Sequence, residues 1–232
     1  MKRRRACLVA VLCVAATVAG AEQIAAFSRM VPGVVTGGWQ LQTIRGRPAA
    51  DFRIVDEEGA VVEATSNGAV GSLIHAVDAA VEVGTKLSWR WRVDNAIAGS
   101  NIYNKSGDDF PARVYALFDY EPGRLPFGTR WKLRLARLLY GKQVPAAAVC
   151  YVPSDDVPPE TILPSAYTDR VRMIVVDGVA PGEWRSFERD VAADFAAAFG
   201  EEAPGLAGIA IAIDTDDTGA DARARFGDVL LQ

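Results

Sequence analysis

The chain of 232 residues carries 29 acids against 25 Lys and Arg, a formal charge of −4, and a single histidine. An acidic balance of this kind repels nucleic acid. His75 with so few cysteines cannot supply a zinc site of several His and Cys ligands, and no Walker or dinucleotide fingerprint occurs, so no metal or nucleotide cofactor of those kinds is expected.

The first element in chain order is a leader. MKRRR precedes an apolar run over 6–18 and the small residues Ala19-Gly20-Ala21, the pattern of a secretory signal, so residues 1–21 are expected to be removed. The run is too short for the roughly 20 residues that span a bilayer, so no transmembrane helix is expected after cleavage. Loss of Lys2, Arg3, Arg4 and Arg5 takes 4 cations from 25 and leaves 21, moving the formal charge from −4 to −8. Cys7 and Cys13 leave too, and with only Cys150 remaining no internal disulfide can form, so residues 22–232 must be held by a hydrophobic core, read as one domain.

Within that domain, WQLQTI (39–44), DFRIV (51–55) and AVVEA (60–64) fit short strands bounded by turn residues. KLSWRWRV (86–93) alternates strictly, Leu87, Trp89, Trp91 and Val93 against Lys86, Ser88, Arg90 and Arg92, which predicts a half-buried strand with both tryptophans in the core. ARVYALFD (112–119) and DRVRMIVV (169–176) repeat the period, while AAAVCYV (146–152) and AGIAIAI (207–213) suit strands buried on both faces. FGDVLL (226–231) closes the series. Many short strands separated by turn signals predict an all-β, mainly antiparallel β-sandwich or jelly roll.

One or two short helices interrupt it. RDVAADFAAAFG (189–200) places Val191, Phe195 and Phe199 at helical spacing before a Gly200 stop. TRWKLRLARLLYGK (129–142) sets Trp131 and its leucines against Arg130, Arg134 and Arg137, a face that suits peripheral contact with an anionic envelope surface. The proline-rich, acidic stretch 151–165 reads as an exposed loop of the kind that borders sites.

Chemistry then falls to carboxylates. A Ser-His-Asp triad would have to use His75, which sits among apolar neighbours and reads as a packed residue. On an extended chain Asp109, Arg113 and Tyr115 share one face and Asp108 opposes Asp109; Asp214 and Asp216 share a face and Asp217 opposes them unless the chain turns at Thr215. Sheet pairing is expected to bring these two clusters together, giving Asp108, Asp109, Arg113, Tyr115, Asp214, Asp216 and Asp217 as candidate ligand-binding residues. Carboxylates, arginine and a tyrosine platform suit a glycan or other polar ligand. The cluster DTDDTG resembles half of an EF-hand, but Arg225 stands where a bidentate Glu is needed, so only a looser calcium site at Asp214 and Asp216 is open. Asp109 paired with Asp214 or Asp216 would also permit glycoside hydrolysis. The same acids and arginine could instead be purely structural.

Taken in order, LSWRWRVD, KSGDDFPARVYALFD, AVCYV, EWRSFERDVAADFAAAFG, IAIAIDTDDTG and FGDVLL resemble the family of Gram-negative secreted proteins known as domain of unknown function 3047. GDD-x-x-A-R and D-T-D-x-T-G are its most specific elements here. The resemblance implies a β-rich domain that is periplasmic or secreted. A looser likeness, at the level of fold, is to galactose-binding-like jelly rolls.

Overall fold

The computed structural model describes residues 22–57, 59–119 and 146–232. Two seven-stranded sheets pack face to face. One sheet runs β1 (Glu22–Ala25), β14 (Val229–Leu231), β6 (Lys86–Val93), β13 (Asp221–Phe226), β4 (Ala60–Asn67) and β3 (Asp51–Asp56), with β11 (Trp184–Asp190) on the free edge of β6. The other orders β2 (Trp39–Gln42), β5 (Val70–Ala79), β12 (Leu206–Asp214), β7 (Arg113–Phe118), β8 (Ala147–Pro153), β10 (Val171–Asp177) and β9 (Ile162–Pro164). The mainly-β sandwich is as expected, with one departure: β8 and β10 pair in parallel. The loop 154–161 and the short β9 intervene between them, so the chain re-enters the sheet in the direction it left.

The alternating residues of β6 behave as their pattern requires. Trp89 and Trp91 are buried between the sheets with Phe226 and Val62 from their own sheet and Ile209, Ile211, Val114 and Tyr151 from the facing one. Burying each such side chain is worth about 1.5–3 kcal/mol. The helix α1 (Val191–Phe199) closes one end of this core, because its apolar spacing points Val191 and Phe195 inward; the rings of Phe195 and Phe118 lie 4.5 Å apart. Asp190 caps α1 by accepting from the amides of Ala192 and Ala193, and the left-handed Gly200 ends it. The basic segment containing Arg130, Trp131, Arg134 and Arg137 lies outside the described residues.

The outer faces of the two sheets are finished differently. Across the first, strand register sets Arg53, Glu63, Arg225, Arg92 and Trp184 side by side on β3, β4, β13, β6 and β11. Glu63 pairs with both Arg53 and Arg225, and Arg92 lies over the Trp184 ring, so the charges of this row find cross-strand partners. The second sheet is partly roofed by the chain between β6 and β7. Ile102 and Phe110 from this loop pack on Cys150, Val152, Met173 and Val175, the outward residues of β8 and β10. Gly107 lets the loop fold tightly, since a Cβ there would stand 2.7 Å from the Gly99 carbonyl oxygen. This roof carries Asp108 and Asp109 to the end of the sheet where β7 begins and β12 finishes.

Candidate functional site

Antiparallel pairing of β7 with β12 places Arg113 opposite Ala212 and therefore diagonal to Asp214 on the same outward face. The guanidinium Nη2 donates to Asp214 Oδ2 at 3.1 Å and to the backbone carbonyl of Asp108, while Nη1 stands 3.6 Å from Asp108 Oδ1. Tyr115, two residues along β7, continues the same face. Two segments about a hundred positions apart thus meet in one ionic cluster, as the sequence predicts.

The parity expected for the acids does not hold outside the strands. The extended strand starts only at Arg113, so Asp109 is not on the face of Arg113. It is fully buried, and its two carboxylate oxygens accept the amides of Thr218 at 2.7 Å and Asp217 at 3.3 Å. Asp109 therefore fastens the β12–β13 turn, whereas Asp108 takes the position beside Arg113. The chain also turns at Thr215, whose buried hydroxyl is 2.7 Å from Ser66 Oγ and accepts the amide of Ala69. The turn brings Asp217 to the same side as Asp214 and Asp216 rather than opposing them.

These residues line a cavity of about 600 Å³. Asp108, Arg113, Asp214, Asp216, Asp217 and Tyr115 contribute from the expected set, and Asp109 does not line it. Sequence reasoning missed two important members. Arg47 reaches Asp216 through Nε at 2.9 Å and Asp217 through Nη2 at 3.3 Å, and Tyr167 donates its hydroxyl to Asp217 at 2.6 Å. Both lie in irregular loops, TIRGRP and PSAYTD, where no periodicity marks a direction; their only signal was the loop composition of Gly, Pro and Ser around a polar side chain. Ile44, Ile74 and Val171 supply apolar wall.

Two polar atoms of this site are buried without a hydrogen-bond partner among the described residues: Asp108 Oδ1 and Arg113 Nε. Asp108 is 4 % exposed and Arg113 5 %. A second depression, about 640 Å³ between the Asn67–Asp221 pair and Asp94, contains no such atom and is only a surface concavity. Burial raises the Asp108 carboxyl, against the pull of Arg113 and with help from Asp217 and its other acidic neighbours. Burial likewise pushes Asp214 up to about 9, with Arg113 opposing and the adjacent Asp216 carboxyl reinforcing. Tyr115 is raised by burial, and Cys150 behind it is pushed up to about 12 by the same cause.

Asp109, Asp214 and Asp216 each offer a carboxylate oxygen within 4.8 Å of the others. Those carboxylates are already engaged by backbone amides, by Arg113 and by Arg47 respectively. Calcium takes six to eight oxygen ligands and would have to displace both guanidinium groups, so the donor set fits an ion-pair network better than a cation cage.

Among solved structures, the chain is similar to the arabinose-bound α-L-arabinofuranosidase MgGH51 at 12 % identity, covering 90 % of this chain and 25 % of that one, with a TM-score of 0.40. It is similar to the xyloglucanase domain of NopAA from Sinorhizobium fredii at 9 % identity, over 86 % of this chain and 96 % of that one, with a TM-score of 0.47. It is also similar to endoglucanase 3 of family GH12 from Trichoderma harzianum at 9 % identity, over 87 % and 93 %, with a TM-score of 0.44. The chain spans a quarter of the arabinofuranosidase, and likenesses this distant carry no argument about chemistry. No curated protein matches the sequence. The family model for "Protein of unknown function (DUF3047)" matches residues 37–230, nearly all of the sandwich and both acid clusters, and the chain therefore belongs to the DUF3047 family.

Proposed function

We propose that this protein is a non-catalytic binding domain, exported to the periplasm or beyond, whose cavity holds a glycan. One observation carries the reading: Asp108, Arg113, Asp214, Asp216 and Asp217 share the wall of one cavity of about 600 Å³ with Tyr115 and Tyr167. Carboxylates, a guanidinium group and tyrosine hydroxyls together give and accept the hydrogen bonds that the hydroxyls of a polar ligand need. Tyr115, Ile74 and Val171 offer an apolar wall suited to the C–H face of a sugar ring. The leader-like pattern of residues 1–21, MKRRR followed by an apolar run and small residues, is what supports the location.

Calorimetric titration with a panel of soluble oligosaccharides tests the proposal. At least one should bind, and Asp108→Ala should weaken it at least about tenfold, the worth of a hydrogen bond to a charged group. Failure of the whole panel, or an Asp108→Ala variant that binds like wild type, leaves Asp108, Arg113 and Asp214 as a purely structural cluster.

A second reading, glycoside hydrolysis, is favoured by one feature, the raised carboxyl of Asp214, since a general acid must keep its proton near neutral pH. Against it, the carboxylates of Asp109, Asp214 and Asp216 are already engaged by backbone amides, by Arg113 and by Arg47 respectively, so none stands free as the second carboxylate of a catalytic pair. Release of reducing ends that vanishes in Asp214→Asn would reverse this order.

A further inference from the structure

We propose that Tyr167 is the platform on which a pyranose ring of the ligand stacks, which makes it a residue that determines what this cavity accepts; the inference rests on the binding reading above. Tyr167 is 52 % exposed, yet it is held at both ends. Its backbone amide donates to Ser165 Oγ at 3.2 Å, and its hydroxyl donates to Asp217 Oδ2 at 2.6 Å. Asp217 is in turn fixed by Arg47 at 3.3 Å. Tyr103 is exposed to a similar degree, 64 %, but its hydroxyl has no hydrogen-bond partner among the described residues.

The Lys105 ammonium stands over the Tyr167 ring, 5.1 Å from its centre, and Lys105 is not part of the cavity wall, whereas Tyr167 is. The ring face opposite Lys105 is therefore the one left to a ligand in the cavity. A side chain immobilised in advance loses little conformational freedom on binding, and a tyrosine offers a large, rigid contact area for only two side-chain torsions. The C–H bonds on one side of a pyranose ring match such a face. The hydroxyls around the edge of the sugar then lie toward Asp217, where the tyrosine hydroxyl ends, so apolar and polar recognition meet along one side chain.

The test is titration of the full mature chain with neutral trimers of glucose, galactose and mannose, followed by calorimetry and by proton NMR of the ligand, for wild type, Tyr167→Phe and Tyr167→Leu. In a trimer that binds the wild type, the C–H protons on one face of a sugar ring should move upfield under the ring current of Tyr167. Tyr167→Leu should weaken that trimer about three- to tenfold, the worth of an aromatic contact, and abolish the shifts. Tyr167→Phe keeps the ring and loses only the bond to Asp217; it should bind at least about twofold tighter than Tyr167→Leu and retain the shifts. Binding without upfield shifts in the wild type, a Tyr167→Leu variant that binds like wild type, or equal losses in the two variants overturns the stacking inference alone, the last because the Asp217 bond would then account for the whole effect. If another saccharide of the panel binds in place of these trimers, the same comparison is made with it. If no saccharide binds, the binding reading falls and the stacking inference with it.

Discussion

Replacing Arg113 with methionine removes the cation of the cluster while keeping a long apolar stem on the sheet face. In the folded chain Arg113 is 5 % exposed and serves Asp214 Oδ2 and the Asp108 carbonyl, with the Asp108 carboxylate close by. If both carboxyls stay ionised, breaking this buried pairing costs about 3–5 kcal/mol. If they take up protons, the loss falls to the hydrogen bonds alone, about 1–3 kcal/mol. Arg113 is what holds both carboxyls down against burial, so in the variant they ionise at still higher pH. The deficit should therefore be small at pH 5 and grow toward pH 9. Urea unfolding followed by tryptophan fluorescence measures it, since Trp89 and Trp91 report directly on the core. At the upper end a domain of this size would lose roughly 6–20 °C in Tm, at about 2–4 °C per kcal/mol. A deficit below about 1 kcal/mol at pH 8, or one equal at pH 5 and pH 9, would refute the claim that Arg113 neutralises buried acids.

Wild-type stability should also carry the signature of Asp214. Its carboxyl rises from the ordinary 3.8 to about 9 on folding, so the stability it confers is complete below the lower value and is lost as pH rises through the upper one. Asp214→Asn should flatten that decline in a series of thermal melts, and an unchanged slope would contradict the burial argument. Thr215→Val keeps the shape but removes the hydroxyl that Ser66 and Ala69 use, and should cost about 1–3 kcal/mol in urea. Asp190→Ala removes the cap of α1, at about 1 kcal/mol. The amides of Ala193, Gly84 and Ala192 hold the Asp190 carboxyl low, so this difference should be present at neutral pH and fade as pH falls below the ordinary carboxylate range. Cys150 is fully buried with its thiol raised to about 12, so a maleimide should label it only after unfolding; labelling of the native protein would mean the β8 face opens.

Where backbone geometry repeats, the sequence alone determined the result. The period-two pattern of 86–93 put Trp89 and Trp91 in the core, the spacing of Val191, Phe195 and Phe199 marked α1, and the motifs around Asp108 and Asp214 carried the family. Arg113 and Tyr115 could be read together because both sit within β7, where alternate residues share a face. Tertiary structure alone decided the rest. The strands β5, β11 and β13 carry too many polar or small residues to announce themselves, and they are stabilised by the neighbours they pair with. The parallel pairing of β8 and β10 depends on how the intervening chain returns. Asp109 turned away and Asp108 turned in because a loop residue's direction is set by the amides it satisfies, here those of Asp217 and Thr218, rather than by any period. Arg47 and Tyr167 joined the site for the same reason: their carboxylate partners are remote in the chain, and contacts between distant loops exist only once the two sheets have packed.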